Sequence, residues 1–289
     1  MSKVKSSPLT VLRLTFGLFK SEHQQIFYPF ITIIFINLLV LEILYFSSRP
    51  PLSLFFAPIV NRIWGEEYLH YPMNIILLPK MFYYAQMVFF LFISNIVTVA
   101  VIDMVSAINN EKPVNFKHSL GKVLPGYVYI ILYSFLSLMF FQFFDSAYGI
   151  LIHRAVKIHS TTGVLFWLKK SVFFAAPYVQ YFYSIFVTAL FIYIPVLIVL
   201  EKKKFLGAFL TNFKVLFGSF WLTFTLVLIP MLFYLPLLLM RDNISSLIEL
   251  TFPEINIWVL ILSIFVTTGI NIFVTAAATT YYLYKKENS

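Results

Sequence analysis

Six runs of this chain, near residues 26–46, 81–108, 123–144, 178–200, 219–240 and 257–283, stay apolar for about the length a helix needs to cross the hydrocarbon layer of a bilayer. A helix that is apolar on every side must be buried all round or face lipid. A chain of 289 residues cannot bury six such helices in one aqueous core. Hydrophobic residues make up 60% of the chain and charged residues 11%, which is about half the charge of an ordinary soluble domain. The 34 Phe and 18 Tyr also exceed what one core could hide, and lipid tolerates them facing outward. The expected fold is all-α: a polytopic transmembrane helical bundle of about six spans, with short interfacial amphipathic helices, forming a single membrane domain over residues 1–289.

Two segments fall short of a crossing. Residues 50–60 are rich in Pro and Phe but short, and in 161–177 the pair Lys169 and Lys170 interrupts an apolar stretch. Both read as interfacial or re-entrant pieces. The basic N-terminus lacks a small-residue cleavage site and runs on into a full span, so it reads as uncleaved.

Orientation follows from the basic residues. Of 21 lysines and arginines, Arg49, Arg62, Lys80, Arg154, Lys157, Lys169, Lys170 and Arg241 fall in loops opposite the N-terminus; 21 less these 8 leaves 13 on the N-terminal side. An excess of Lys and Arg marks the cytoplasmic side, which places both termini in the cytoplasm. The net charge of +9 gathers at the ends of apolar runs, so it points to anionic phospholipid headgroups and not to nucleic acid.

Three short segments on that side combine apolar and basic residues at helical spacing. Leu9, Leu12, Phe16 and Phe19 share a face opposite Arg13, Gly17 and Lys20. Phe116, Leu120, Val123 and Leu124 are opposed by Lys117, His118 and Gly121, and Leu206, Phe209, Phe213 and Leu216 by Gly207, Thr211 and Lys214. Each precedes a pair of spans, which suggests a three-fold parallel repeat over residues 8–108, 114–200 and 204–283. The lipid-headgroup contacts expected of these segments are Lys202, Lys203, Lys204 and Lys214.

Phe191 to Glu201 (FIYIPVLIVLE), followed by a basic amphipathic helix and Gly218, Ser219, Phe220 and Trp221, resembles a signature of an uncharacterised family of six-span bacterial integral membrane proteins. Leu18 to Lys20 running into Tyr28, Pro29 and Phe30 resembles that family's opening helix, and Asn271 to Tyr284 its closing span of small residues and tyrosines. The family is similar in layout to the membrane domain of some glycerophosphodiester phosphodiesterases. The resemblance implies topology, a multi-pass protein of a bacterial inner membrane, and carries no activity with it.

Depth arithmetic at about 1.5 Å per residue puts Asn37, Asn95 and Asn271 within about 2 Å of the midplane on three different spans. An amide in hydrocarbon needs a partner, and these three are each other's nearest choice. They read as interhelical glue or as the lining of a permeation site. Glu42 lies toward the outer side with Gln86 as its depth match, and Asp103 near the cytoplasmic headgroups. Cysteine is absent, and no phosphate loop, nucleophile elbow or metal-binding spacing occurs, so no catalytic residue, cofactor or metal is expected. The main functional expectation is a non-catalytic membrane module, a partner subunit or lipid-interacting scaffold. The alternatives are a transporter or lipid permease with a polar midplane, and a membrane enzyme acting on lipids.

Overall fold

The computed structural model describes residues 7–20, 24–158 and 162–287, and among them every regular element is helical. In chain order these are α1 (Pro8–Lys20), α2 (Tyr28–Tyr45), α3 (Ser53–Ile63), α4 (Met73–Phe89), α5 (Asn95–Asn109), α6 (Phe116–Val123) and α7 (Tyr127–Val156). There follow α8 (Gly163–Phe191), α9 (Tyr193–Glu201), α10 (Phe205–Phe217), α11 (Phe220–Met231), α12 (Leu235–Asp242), α13 (Ile244–Leu250) and α14 (Ile255–Glu287). Six stretches among the described residues are long and apolar enough to cross a membrane: Gln25–Ser48, Met73–Asn109, Phe116–Val156, Gly163–Glu201, Phe220–Asp242 and Ile255–Glu287. The protein is an integral, multi-pass, all-α membrane protein.

Several spans are interrupted, each for a local reason. In the second, the five residues Phe90–Ser94 form a π-turn between α4 and α5, a widened turn that occurs mostly as a single insertion within α-helices. In the fourth, the α-helical hydrogen-bond pattern is interrupted at Ile192, between α8 and α9, although its φ of −62° and ψ of −26° stay helical. Pro195 lacks an N–H, and its ring crowds the carbonyl four residues back, that of Phe191. The fifth narrows to a 3₁₀ turn at Leu232–Tyr234, between Pro230 and Pro236.

The core is built around α5, α9 and α14. Tyr193 to Ile198 are all buried in α9, and Ala100 on α5 and Ala276 to Ala278 on α14 are buried where these helices pack. Small residues let backbones approach closely where lipid gives no hydrophobic drive between helices. At the periphery α7 turns Val128, Leu132, Phe135, Met139 and Phe143 outward. Their spacing of three and four residues makes one continuous apolar stripe, the surface a helix presents to lipid.

Gly126, between α6 and α7, marks a close approach of α7 to α9. A Cβ there would lie 3.1 Å from Ile198 Cγ2. Gly126→Val is expected to cost about 1–3 kcal/mol through overpacking, measured as a lower melting temperature in detergent. Gly121→Val, with nothing within 4 Å of its Cβ position, should leave the melt unchanged.

The structure corrects the reading of residues 161–177. Gly163 opens α8, which continues unbroken to Phe191, so Lys169 and Lys170 ride on an N-terminal extension of the fourth span's helix and not on a separate piece. Likewise α7 extends to Val156 and shortens the loop expected there. Propensity explains both: lysine is a good helix former, and a helix may project past the bilayer into water. Residues 50–60 do fall in a short helix, α3, below crossing length.

Candidate functional site: a polar cavity at mid-membrane

The three asparagines placed at the midplane line one cavity of about 280 Å³. Asn37 comes from the first span, Asn95 from the second and Asn271 from the sixth, and the third and fourth add Tyr133 and Thr188. Thr98, Thr267, Thr268 and Thr275 extend the hydroxyl lining. Five of the six spans thus contribute, and the wall mixes amide and hydroxyl groups with apolar side chains and carries no charged group.

The two backbone interruptions meet here. The π-turn residues Phe90 and Ser94, and Ile192 and Pro195 at the break of the fourth span, all border the cavity. Irregular backbone at membrane depth is tolerated where it is buried in protein or lines a water-filled space. Carbonyls beside both interruptions accept from side chains. Thr98 Oγ1 donates to the Ser94 carbonyl at 2.9 Å, and Asn212 Nδ2, reaching in from α10, donates to the Leu190 carbonyl at 2.8 Å.

The asparagines do not bond to one another. Asn37 donates to the Ile33 carbonyl at 2.8 Å and accepts from Gln86 Nε2 at 3.4 Å, while Asn95 donates to Ser134 Oγ. Asn37 and Asn95 are buried, whereas Asn271 is exposed despite its position in mid-span, because its side chain faces open space. Gln86 therefore serves Asn37 and not Glu42, which lies exposed on the surface of α2. Depth alone could not tell these apart, because the choice depends on which way each residue points around its helix.

Toward the face opposite α1 lies a second cavity of about 660 Å³. Gln86, Thr267 and Asn271 line both. Its outer wall carries Lys80, Arg241 and Asp145. Arg241 Nη1 donates to Tyr234 Oη at 2.7 Å, and Gln180 Nε2 to Asp145 Oδ1 at 2.6 Å. Toward the α1 face the midplane cavity is closed. On α5 its lining ends at Val99 and that of the next cavity starts at Asp103; on α9 the corresponding limits are Pro195 and Ile198. Between them Ala100, Val101, Ile102, Val196 and Leu197 are wholly buried, an apolar layer about one helical turn thick.

The α1 face is tied together by ions. Glu201 pairs with Lys203 at 2.7 Å and Lys286 at 3.4 Å and accepts from Tyr282 Oη, joining α9 to α14. Asp103 pairs with Lys122 at 3.0 Å and accepts from Ser119 Oγ at 2.7 Å, which fastens α6 to α5. Of the expected headgroup residues, Lys202, Lys204 and Lys214 are exposed, while Lys203 is held by Glu201 and by Thr211. The amphipathic helices pack on the bundle through Val11, Leu12 and Thr15 of α1 and Ala208, Asn212 and Leu216 of α10; Leu9, Phe16, Leu206 and Leu210 stay exposed. They are therefore apolar on more than the one face that spacing suggested.

Among the described residues no group of three or more His, Asp or Glu side chains is placed to hold a metal ion. Comparison with known protein families, curated proteins and solved structures finds no match to this chain.

Proposed function

We propose that this chain is a permease that passes a small polar solute through its midplane cavity. The observation that supports this most is the cavity itself: amides and hydroxyls from five spans line it, at the places where two spans depart from the regular α-helical hydrogen-bond pattern. Glue needs only paired amides. Here Asn271 remains exposed at mid-span, and the cavity shares lining residues with a vestibule that carries Lys80, Asp145 and Arg241 on one side and abuts an apolar layer on the other. A path open to one face and shut to the other is what alternating access requires of one of its states. The neutral midplane lining favours solutes that bring hydrogen-bonding groups and no large net charge.

The reading includes a bacterial inner membrane, both termini in the cytoplasm, and the three-fold parallel repeat over residues 8–108, 114–200 and 204–283. It keeps the resemblance of Phe191 to Glu201 to the uncharacterised six-span family and to the membrane domain of some glycerophosphodiester phosphodiesterases, since the break at Ile192 falls within that stretch. A non-catalytic scaffold that binds anionic lipid or a membrane partner is the reading that follows if the cavity is dry.

Cysteine scanning separates the two, with no native Cys to interfere. In intact cells Ser94→Cys and Thr267→Cys should react with a membrane-impermeant thiol reagent, and Ile102→Cys, within the apolar layer, should not. In the same assay Ser48→Cys should react and Asn110→Cys should be shielded, which reads the orientation. Absence of labelling at both Ser94→Cys and Thr267→Cys, with Ser48→Cys labelled, would sink the permease.

A further inference from the structure

A cavity on the α1 face is separate from the proposed solute path and has a different chemistry. It measures about 790 Å³, and Lys112, Lys122, Lys202 and Lys203 line it with Asp103 as the one carboxylate. The lysines come from three places: the turn after α5, α6 itself, and the link between α9 and α10. Two are already committed, Lys122 to Asp103 and Lys203 to Glu201. Lys112 and Lys202 make no ion pair among the described residues. Lys202 is moreover held at φ 50°, in the left-handed region where a lysine is strained and glycine is the unstrained residue. Strain of this kind persists where the surroundings over-determine it, and it gathers at functional sites.

Below this basic rim the wall is apolar. Val123, Pro125, Ile198, Val199 and Leu200 line it, with the Tyr129 ring beside them. Two uncommitted ammonium groups above an apolar wall, at the end of the spans, match a phosphate group carried on an apolar body. We propose that the cavity binds the phosphate of an anionic phospholipid, with Lys112 and Lys202 as its contacts. The site is localised, in contrast to a diffuse attraction of the whole basic face. It is independent of whether the chain conducts a solute.

The test uses the full chain purified in non-ionic detergent from membranes containing phosphatidylglycerol and cardiolipin, with bound lipid counted by native mass spectrometry. Lys112→Gln with Lys202→Gln should weaken anionic-lipid affinity by about thirty-fold, from the contribution of two lysines at an anionic headgroup. Lys204→Gln with Lys214→Gln removes the same charge from the same face, outside the cavity lining, and should leave retention near that of the parent. Equal losses in the two double variants, or none in either, would overturn the site. A second arm titrates inorganic pyrophosphate into delipidated protein and follows thermal melting. No stabilisation is expected. Stabilisation that disappears in the Lys112→Gln, Lys202→Gln variant would keep the phosphate site and overturn the lipid as its source.

Discussion

Asn212→Asp will destabilise this protein by about 3–5 kcal/mol, the scale of an uncompensated buried charge. Asn212 is wholly buried. Its Nδ2 donates to the Leu190 carbonyl at 2.8 Å, just before the break in the fourth span, and its Oδ1 has no partner. An ionised carboxylate is nearly the same size but has no proton to donate. The change would set an anion against a carbonyl oxygen, with no hydrogen-bond partner for its second oxygen. The penalty should depend on pH in a definite direction. Burial favours the neutral acid, so the carboxyl introduced here would have a folded pKa above its unfolded value. The unfolded chain then releases its proton first as pH rises, and stability falls with rising pH until the folded pKa is passed. Melting in detergent at acidic and at neutral pH reads this, with Asn212→Ala as the reference. That variant loses the bond and leaves the carbonyl bare, for about 1–3 kcal/mol, with no pH dependence of its own. A pH-independent melt for Asn212→Asp would mean that water reaches the site and that α10 does not seal the break.

That a residue of α10 should matter so much was not legible in the sequence. Spacing gave the six spans, because hydropathy is a one-dimensional signal and crossing length is fixed by the bilayer. It also put Asn37, Asn95 and Asn271 at one level, since rise per residue is nearly constant, and the three line one cavity. Azimuth and partner choice are a different matter. Asn212 sits in a segment whose apolar letters suggested a single membrane-facing stripe, yet Ala208, Asn212 and Leu216 form the buried side and Leu206 and Leu210 the exposed one. Ser134 gave no signal, because serines in membrane helices commonly bond back to their own turn. It does so here, to the Ile130 carbonyl at 2.8 Å, while accepting from Asn95. The π-turn at Phe90–Ser94 contains no Pro or Gly to announce it. The vestibule joins Lys80, Asp145 and Arg241 from three spans, a juxtaposition fixed by tertiary packing alone. A proline in mid-span such as Pro195 signals a kink, but only the packing of α5 and α14 around α9 shows that the interruption beside it opens onto the asparagines.

Asn271 is where the proposed conduction can be stopped without unfolding the protein. It lines both the midplane cavity and the vestibule, and unlike Asn37 and Asn95 it is exposed, so a larger side chain there displaces open space and not a packed neighbour. Asn271→Trp should therefore fill the junction. In proteoliposomes challenged osmotically with glycerol, glycine and inorganic phosphate in turn, whichever solute the parent passes should slow by about tenfold or more, the factor that ~1.4 kcal/mol of added barrier gives. Melting should stay close to that of the parent, because no buried hydrogen bond is removed and no core atom is pushed. Asn95→Leu makes the opposite pattern. It deprives Ser134 of its amide partner inside the packed wall, and interhelical bonds of this kind are worth about 0.6–2 kcal/mol in a membrane, so its first effect is on stability. If the asparagines were only glue, Asn271→Trp would act through stability or not at all, and the solute rates of the two variants would fall in step with their melts. A blocked, stable Asn271→Trp beside a conducting, less stable Asn95→Leu is the outcome a conduction path requires.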